Sequence, residues 1–278
     1  MNKKVIVIIL LFILGSAIGV GSFTYYSQKQ EQEKLQLILA KNNLEAKQYE
    51  LAFNKFKNLA ESNNAEAQYM LGKMYLNGSS PEQDKNGELG IYWIEKAARQ
   101  GYSDAELQLG IKLHGDYLMS QIQAILKNGE KNQGENKAIP WLQKAVQKGN
   151  GEALGLLADI YLSGDGTKKD VIKAVDYYKK AIEKGNTKAY VSLAEIYTEG
   201  ADGIAKDLNK ATEYYQLAAI NGDDKALYIL AKAAYEEQNY DKALKLLENT
   251  ENADGQFLLG EMYRQGLGVE KNQYLAAE

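Results

Sequence analysis

One imidazole and no thiol set the chemical limits of this chain: His114 is its single histidine, and its 278 residues contain no cysteine. A structural zinc site needs several thiolates or imidazoles, and a serine triad would have to take this one ring as its base. A serine nucleophile activated by lysine needs Ser-x-x-Lys, and no serine here is followed by lysine three residues on. Asp165-Gly166-Thr167-Lys168-Lys169-Asp170 begins like a calcium loop, but lysine stands where a ligand oxygen is required. Glu236-Glu237 and Asp223-Asp224 read as solvated charges. The 20 tyrosines could stack on a glycan or anchor a peptide. Tyr75, Tyr161, Tyr177, Tyr178, Tyr197, Tyr214, Tyr215 and Tyr263 recur at fixed places and read as core; Tyr69, Tyr228 and Tyr235 remain for recognition. The expectation is a protein with no catalytic residue, no metal and no cofactor.

The elements that carry these residues repeat. Leu71-Gly72-Lys73-Met74-Tyr75 recurs as Leu157-Ala158-Asp159-Ile160-Tyr161, Leu193-Ala194-Glu195-Ile196-Tyr197 and Leu259-Gly260-Glu261-Met262-Tyr263, with weaker copies at Leu109 and Leu230. Successive leucines lie 38, 48, 36, 37 and 29 residues apart, periods that mean stacked helical units. A small residue stands four before each leucine (Ala67, Ala105, Ala153, Ala189, Ala226, Gly255), and second helices carry Lys173-Ala174-Val175-Asp176-Tyr177-Tyr178 and Lys210-Ala211-Thr212-Glu213-Tyr214-Tyr215. Gly72, Gly110 and Ala158 would let paired helices approach closely. Gly101, Gly149, Gly185 and Gly222 would close second helices as left-handed caps.

Together these features resemble the Sel-one-like repeat, a relative of the tetratricopeptide repeat, over about Tyr49 to Glu278. The resemblance implies an all-α, right-handed solenoid of antiparallel helix pairs that binds other proteins and carries no catalytic residues. Three departures stand out. The interval from Gly110 to Ala138 gains about a dozen residues, and Tyr117, Leu118, Ile122, Ile125 and Leu126 suggest a lengthened amphipathic helix followed by a loop at Asn128–Gly134. The Leu230 unit is short, like a plain tetratricopeptide hairpin. At Leu275-Ala276-Ala277-Glu278 a further second helix would be due, so Leu259 and Tyr263 are expected to lack cover unless the chain continues or another molecule supplies it.

Residues 1–26 form a separate segment: Lys3 and Lys4 precede an uncharged run from Val5 to Tyr26, and about 20 apolar residues suffice to cross a bilayer. A single-pass anchor through residues 5–26 is expected, amino terminus cytoplasmic and repeats periplasmic at a bacterial inner membrane, with a cleaved signal and soluble periplasmic protein as the alternative. Residues 27–48 read as a linking helix and 49–278 as the repeat domain. The formal charge is −4; without Lys3 and Lys4 the rest holds 31 basic against 37 acidic residues, which disfavours nucleic acid as a partner.

Turning 100° per residue from each motif leucine places positions −2, +2 and +5 away from the packing face. The candidate protein-binding groove is therefore Tyr69, Lys73, Leu107, Ile111, His114, Val191, Glu195, Tyr228, Lys232, Tyr235, Phe257, Glu261 and Arg264, beside Leu76 and Thr198. An apolar and aromatic row ringed by charge is how protein-binding surfaces are built. The family resemblance makes an immunity or inhibitor protein against a secreted antibacterial effector, such as a lipase, the most concrete function. The alternatives are an adaptor in envelope assembly, or a peptidoglycan- or glycan-binding envelope protein or hydrolase.

Overall fold

A computed structural model describes residues 27–82, 84, 87–132, 134–248 and 250–277. Within these residues the regular elements are thirteen α-helices: α1 (27–45), α2 (Tyr49–Glu61), α3 (Ala65–Leu76), α4 (Glu88–Arg99), α5 (Ser103–Asn128), α6 (Ile139–Gln147), α7 (Gly151–Ser163), α8 (Val171–Glu183), α9 (Ala189–Glu199), α10 (Leu208–Ile220), α11 (Asp224–Glu236), α12 (Tyr240–Leu247) and α13 (Ala253–Gln265). The apolar run of residues 5–26 lies outside the described residues, and no described helix is long and apolar enough to cross a membrane. The chain divides into two compact units between Leu109 and Gly110, within α5.

In the first unit α2 packs on α3 and α3 on α4. Phe53, Phe56, Leu59, Leu71, Met74 and Tyr75 form its core, joined by Ala40, Leu37 and Leu44 of α1, and Tyr75 meets Phe53 edge to face at 5.5 Å. Gly72 shows why a small residue follows the motif leucine. A Cβ there would stand 2.7 Å from the carbonyl oxygen of Gly90 on α4, so the hairpin's close approach depends on its absence.

In the second unit helices pack in sequence order from α6 to α13, with α11 also against α13. The motif residues now have physical roles. Leu157, Ala158, Leu193 and Ala194 are fully buried. Backbone N–H groups of Asp170, Asp207 and Asn272 donate to the carbonyls of the motif tyrosines Tyr161, Tyr197 and Tyr263 at 2.8, 2.8 and 2.9 Å, closing three interhelix loops alike. Lys173 lies over the Tyr161 ring at 3.9 Å and Lys210 over Tyr197 at 5.3 Å, while the following Ala174 and Ala211 are buried. In each tyrosine pair the first ring stacks on the first helix (Tyr161–Tyr177 5.7 Å, Tyr197–Tyr214 5.8 Å) and the second enters the interior.

The predicted caps are present, with φ between 82° and 86° at Gly101, Gly149, Gly185 and Gly222. Helix starts use side chains that the glycine pattern did not reveal. Asn150, Asp170, Asp207, Asp223, Asn239 and Asn252 each accept the N–H three residues on. The lengthened helix is α5, 26 residues long, and the short hairpin is α11–α12. At α13, Leu259 and Tyr263 are half-buried rather than bare, because the segment after the helix turns back until the Ala276 carbonyl stands 3.2 Å from a Cβ position on Gly260.

Candidate functional site

Two adjoining hollows line one face of the second unit. The first, about 240 Å³, lies among α5, α7, α8 and α9, with Ile111, His114, Leu156, Asp159, Tyr178 and Ser192 on its walls. The second, about 760 Å³, continues from the shared Asp159, Tyr178 and Ser192 to Glu195, Glu199 and Tyr215. First-helix residues of α7 and α9 thus form a continuous open strip, with the second tyrosine of α8 reaching through from behind.

Asp159 sits where the hollows meet. It is open to solvent, yet protein crowds it on several sides and this raises its pKa, opposed by the hydrogen bond it accepts from the Tyr178 hydroxyl. The Ser192 side chain shares both hollows with the Tyr178 hydroxyl and acts to lower its pKa. Burial and the Asp159 charge hold the Tyr178 phenol far above its ordinary value, so the hydroxyl stays protonated as a donor. Among the described residues no lysine or arginine pairs with Asp159. Glu195, by contrast, pairs with Lys225, and Asp202 pairs with Lys169 at 3.3 Å.

His114 is fixed by an amide. Asn136, itself buried, accepts the Ala138 N–H through Oδ1 (3.1 Å), so its Nδ2 must donate, to the Asp165 carbonyl (3.3 Å) and to Nδ1 of His114 (2.8 Å). Nδ1 is therefore the acceptor and Nε2 carries the proton. Burial lowers the His114 pKa, with the nearby Asp165 and Asp159 charges opposing it. The ring stacks on Tyr117 at 6.4 Å. Nothing among the described residues groups three or more metal-ligating side chains.

Of the residues expected on the groove, the structure brings Ile111, His114 and Glu195 to these hollows. Tyr69 and Leu107 require correction: they are 7% and 5% exposed, and Tyr69 packs against Tyr102 at 5.2 Å with Lys73 over its ring. Position −2 on α3 faces the Tyr102 ring rather than solvent, and on α5 it is buried. Val191 is half-buried in a cluster with Tyr190 and Tyr214, and Tyr235 packs edge to face on Tyr240. Tyr228 is half-buried, and Lys73 and Lys232 are exposed. Phe257 is 72% exposed, with Glu261 and Arg264 of the same helix paired to each other at 2.6 Å. Gly155, Asp159 and Leu162 stand at the same three positions around Leu157, and all three line the hollows. The aromatic row passed them over because Gly155 breaks it. Tyr178, read as core, is both core ring and site hydroxyl.

An all-helical array of hairpins with an open polar strip defines a repeat protein of the solenoid class. Sel1 repeat sequences match residues 65–102, 103–150, 151–186, 187–223 and 253–278, and the chain belongs to the Sel1 repeat family. The unmatched 224–252 is the α11–α12 hairpin, the unit that departs toward a plain tetratricopeptide form. The solved Sel1 repeat protein from Oxalobacter formigenes is 28% identical with a TM-score of 0.72, covering 87% of this chain and 96% of its own. Pa5087, an immunity protein of Pseudomonas aeruginosa, is more distant: 17% identity, TM-score 0.44, 84% of this chain and 81% of its own. The immunity protein PA5088 of the same organism is similar at 19%, TM-score 0.42, 82% and 74%. No curated protein matches the chain in sequence.

Proposed function

We propose that this Sel1 repeat protein works without catalysis, by binding another protein along the α7–α9 strip, and that its partner is a secreted antibacterial effector that it neutralises. The observation that carries the binding reading is the paired hollows, which expose apolar Ile111 and Leu156 beside polar groups held in fixed orientation. The single imidazole argues against hydrolysis with histidine as the base, because Asn136 occupies Nδ1 and leaves Nε2 protonated, so the ring has no free base site. The effector as partner is favoured by the basic residues ahead of the apolar run 5–26, which would hold the repeats outside the cytoplasm on a membrane anchor. Immunity proteins of this repeat class, Pa5087 and PA5088, are the role we carry over.

The test is protection. Where a neighbouring gene encodes a secreted antibacterial effector, cells expressing the full chain should survive an attacker delivering it, and Ile111→Glu combined with Glu195→Lys should abolish survival while helicity is unchanged. Full survival with that double variant would place binding elsewhere. Death of cells carrying the wild-type chain would remove the immunity reading and leave an envelope adaptor.

A further inference from the structure

The smaller hollow has the chemistry of a socket for one long cationic side chain. Its volume, about 240 Å³, equals roughly eight waters at about 30 Å³ each. Ile111, Leu156 and Ala189 give it apolar walls, Asp159 and the exposed Glu152 supply two carboxylates, and the exposed Lys188 is the one lysine on its lining. One oxygen of the Asp159 carboxylate accepts from Tyr178, and no lysine or arginine among the described residues pairs with it; the nearby His114, when protonated, is the one charge of the chain that would favour its ionised form. An anionic ligand is disfavoured by the same geometry. The first turn of α9 borders the hollow, but the N–H groups of Ala189, Tyr190 and Val191 are already taken by the carbonyls of Asn186, Thr187 and Lys188 at 3.3, 3.1 and 3.2 Å.

We infer that this hollow receives an arginine side chain from the partner protein, its methylenes against Ile111 and Leu156 and its guanidinium on the free oxygen of Asp159 and the hydroxyl of Ser192. The inference rests on the protein-binding reading above. Arginine is selected over lysine because a planar fork of five N–H donors can bond two acceptors on different helices at once, whereas an ammonium is more strongly hydrated and costs more to bring into a crowded hollow. The flexible stem suits an apolar wall with a charged floor. Crowding without a cation leaves Asp159 paying for ionisation at neutral pH, and an incoming guanidinium removes that penalty.

His114 reports on the hollow by itself, since the chain has no other histidine. The full chain, labelled with carbon-13 in histidine, would be titrated with Nα-acetyl-arginine N-methylamide and with its citrulline counterpart, the neutral isostere. A saturable shift of the His114 signal is expected with arginine, at least tenfold weaker with citrulline, and lost in Asp159→Asn. Equal responses to arginine and citrulline on the wild-type chain would overturn the socket, a result that does not depend on the variant folding. A partner that crosslinks to the strip but binds Asp159→Asn with wild-type affinity would likewise overturn the socket while leaving the groove reading in place.

Discussion

His114 shows how one residue's surroundings set its proton. In the native state the ring is half-buried and its Nδ1 is occupied by the Asn136 amide, so the charged form is disfavoured and its pKa lies below the ordinary value near 6.5. A depressed native pKa contributes stability that is fully present above about pH 6.5 and is lost as pH falls through the lower native value. Nuclear magnetic resonance should resolve a single imidazole titrating below that ordinary value. Asn136→Ala should move it upward and so shrink the loss of stability between neutral and mildly acid pH; an unchanged His114 midpoint would mean the amide does not set the tautomer. This residue was legible in part. Its solitude excluded a zinc site at once, but its partner lies 22 positions on, beyond any helical spacing. Asp159 was within reach of positional arithmetic, whereas the Tyr178 hydroxyl behind it was hidden by a motif that also fills the core.

At the scale of the element, the hairpin is a set of matched small and large residues. Leu193 is fully buried between α9 and its neighbours, so Leu193→Ala should cost about 2 to 5 kcal/mol in denaturant unfolding. A loss below about 1 kcal/mol would mean that the leucine does not face the interior. Helix type, pairing and length were readable because leucine, alanine and tyrosine recur at helical intervals and glycine follows the second helices α4, α6, α8 and α10. The side-chain caps were less visible, since Asn150 and Asp223 follow Gly149 and Gly222 directly and the glycine dominates the pattern. The groove row failed at Tyr69 and Leu107 for a physical reason. A rotation angle gives the direction of a side chain from its own helix, not what a neighbour places there, and Tyr102 fills that space for Tyr69.

For the whole molecule, repetition made the array legible, and the hairpin over 224–252 stood out from it before any comparison, as a shortened interval. What repetition could not reveal is that two hollows meet at Asp159, between α7 and α9. Gly155 lines the smaller one, and the absence of a side chain there admits Asn186 of the next loop, whose amide comes within 2.5 Å of the Cβ position. The central claim is that a partner protein occupies this strip, and photo-crosslinking from single sites in the full chain measures it most directly. A crosslinking residue placed at Ile111, Leu156 or Glu195 should capture one and the same protein, and the same residue at Lys179 or Glu213, exposed on the outer sides of α8 and α10, should not. Capture of that protein from Lys179 and Glu213 with none from the strip would contradict the account.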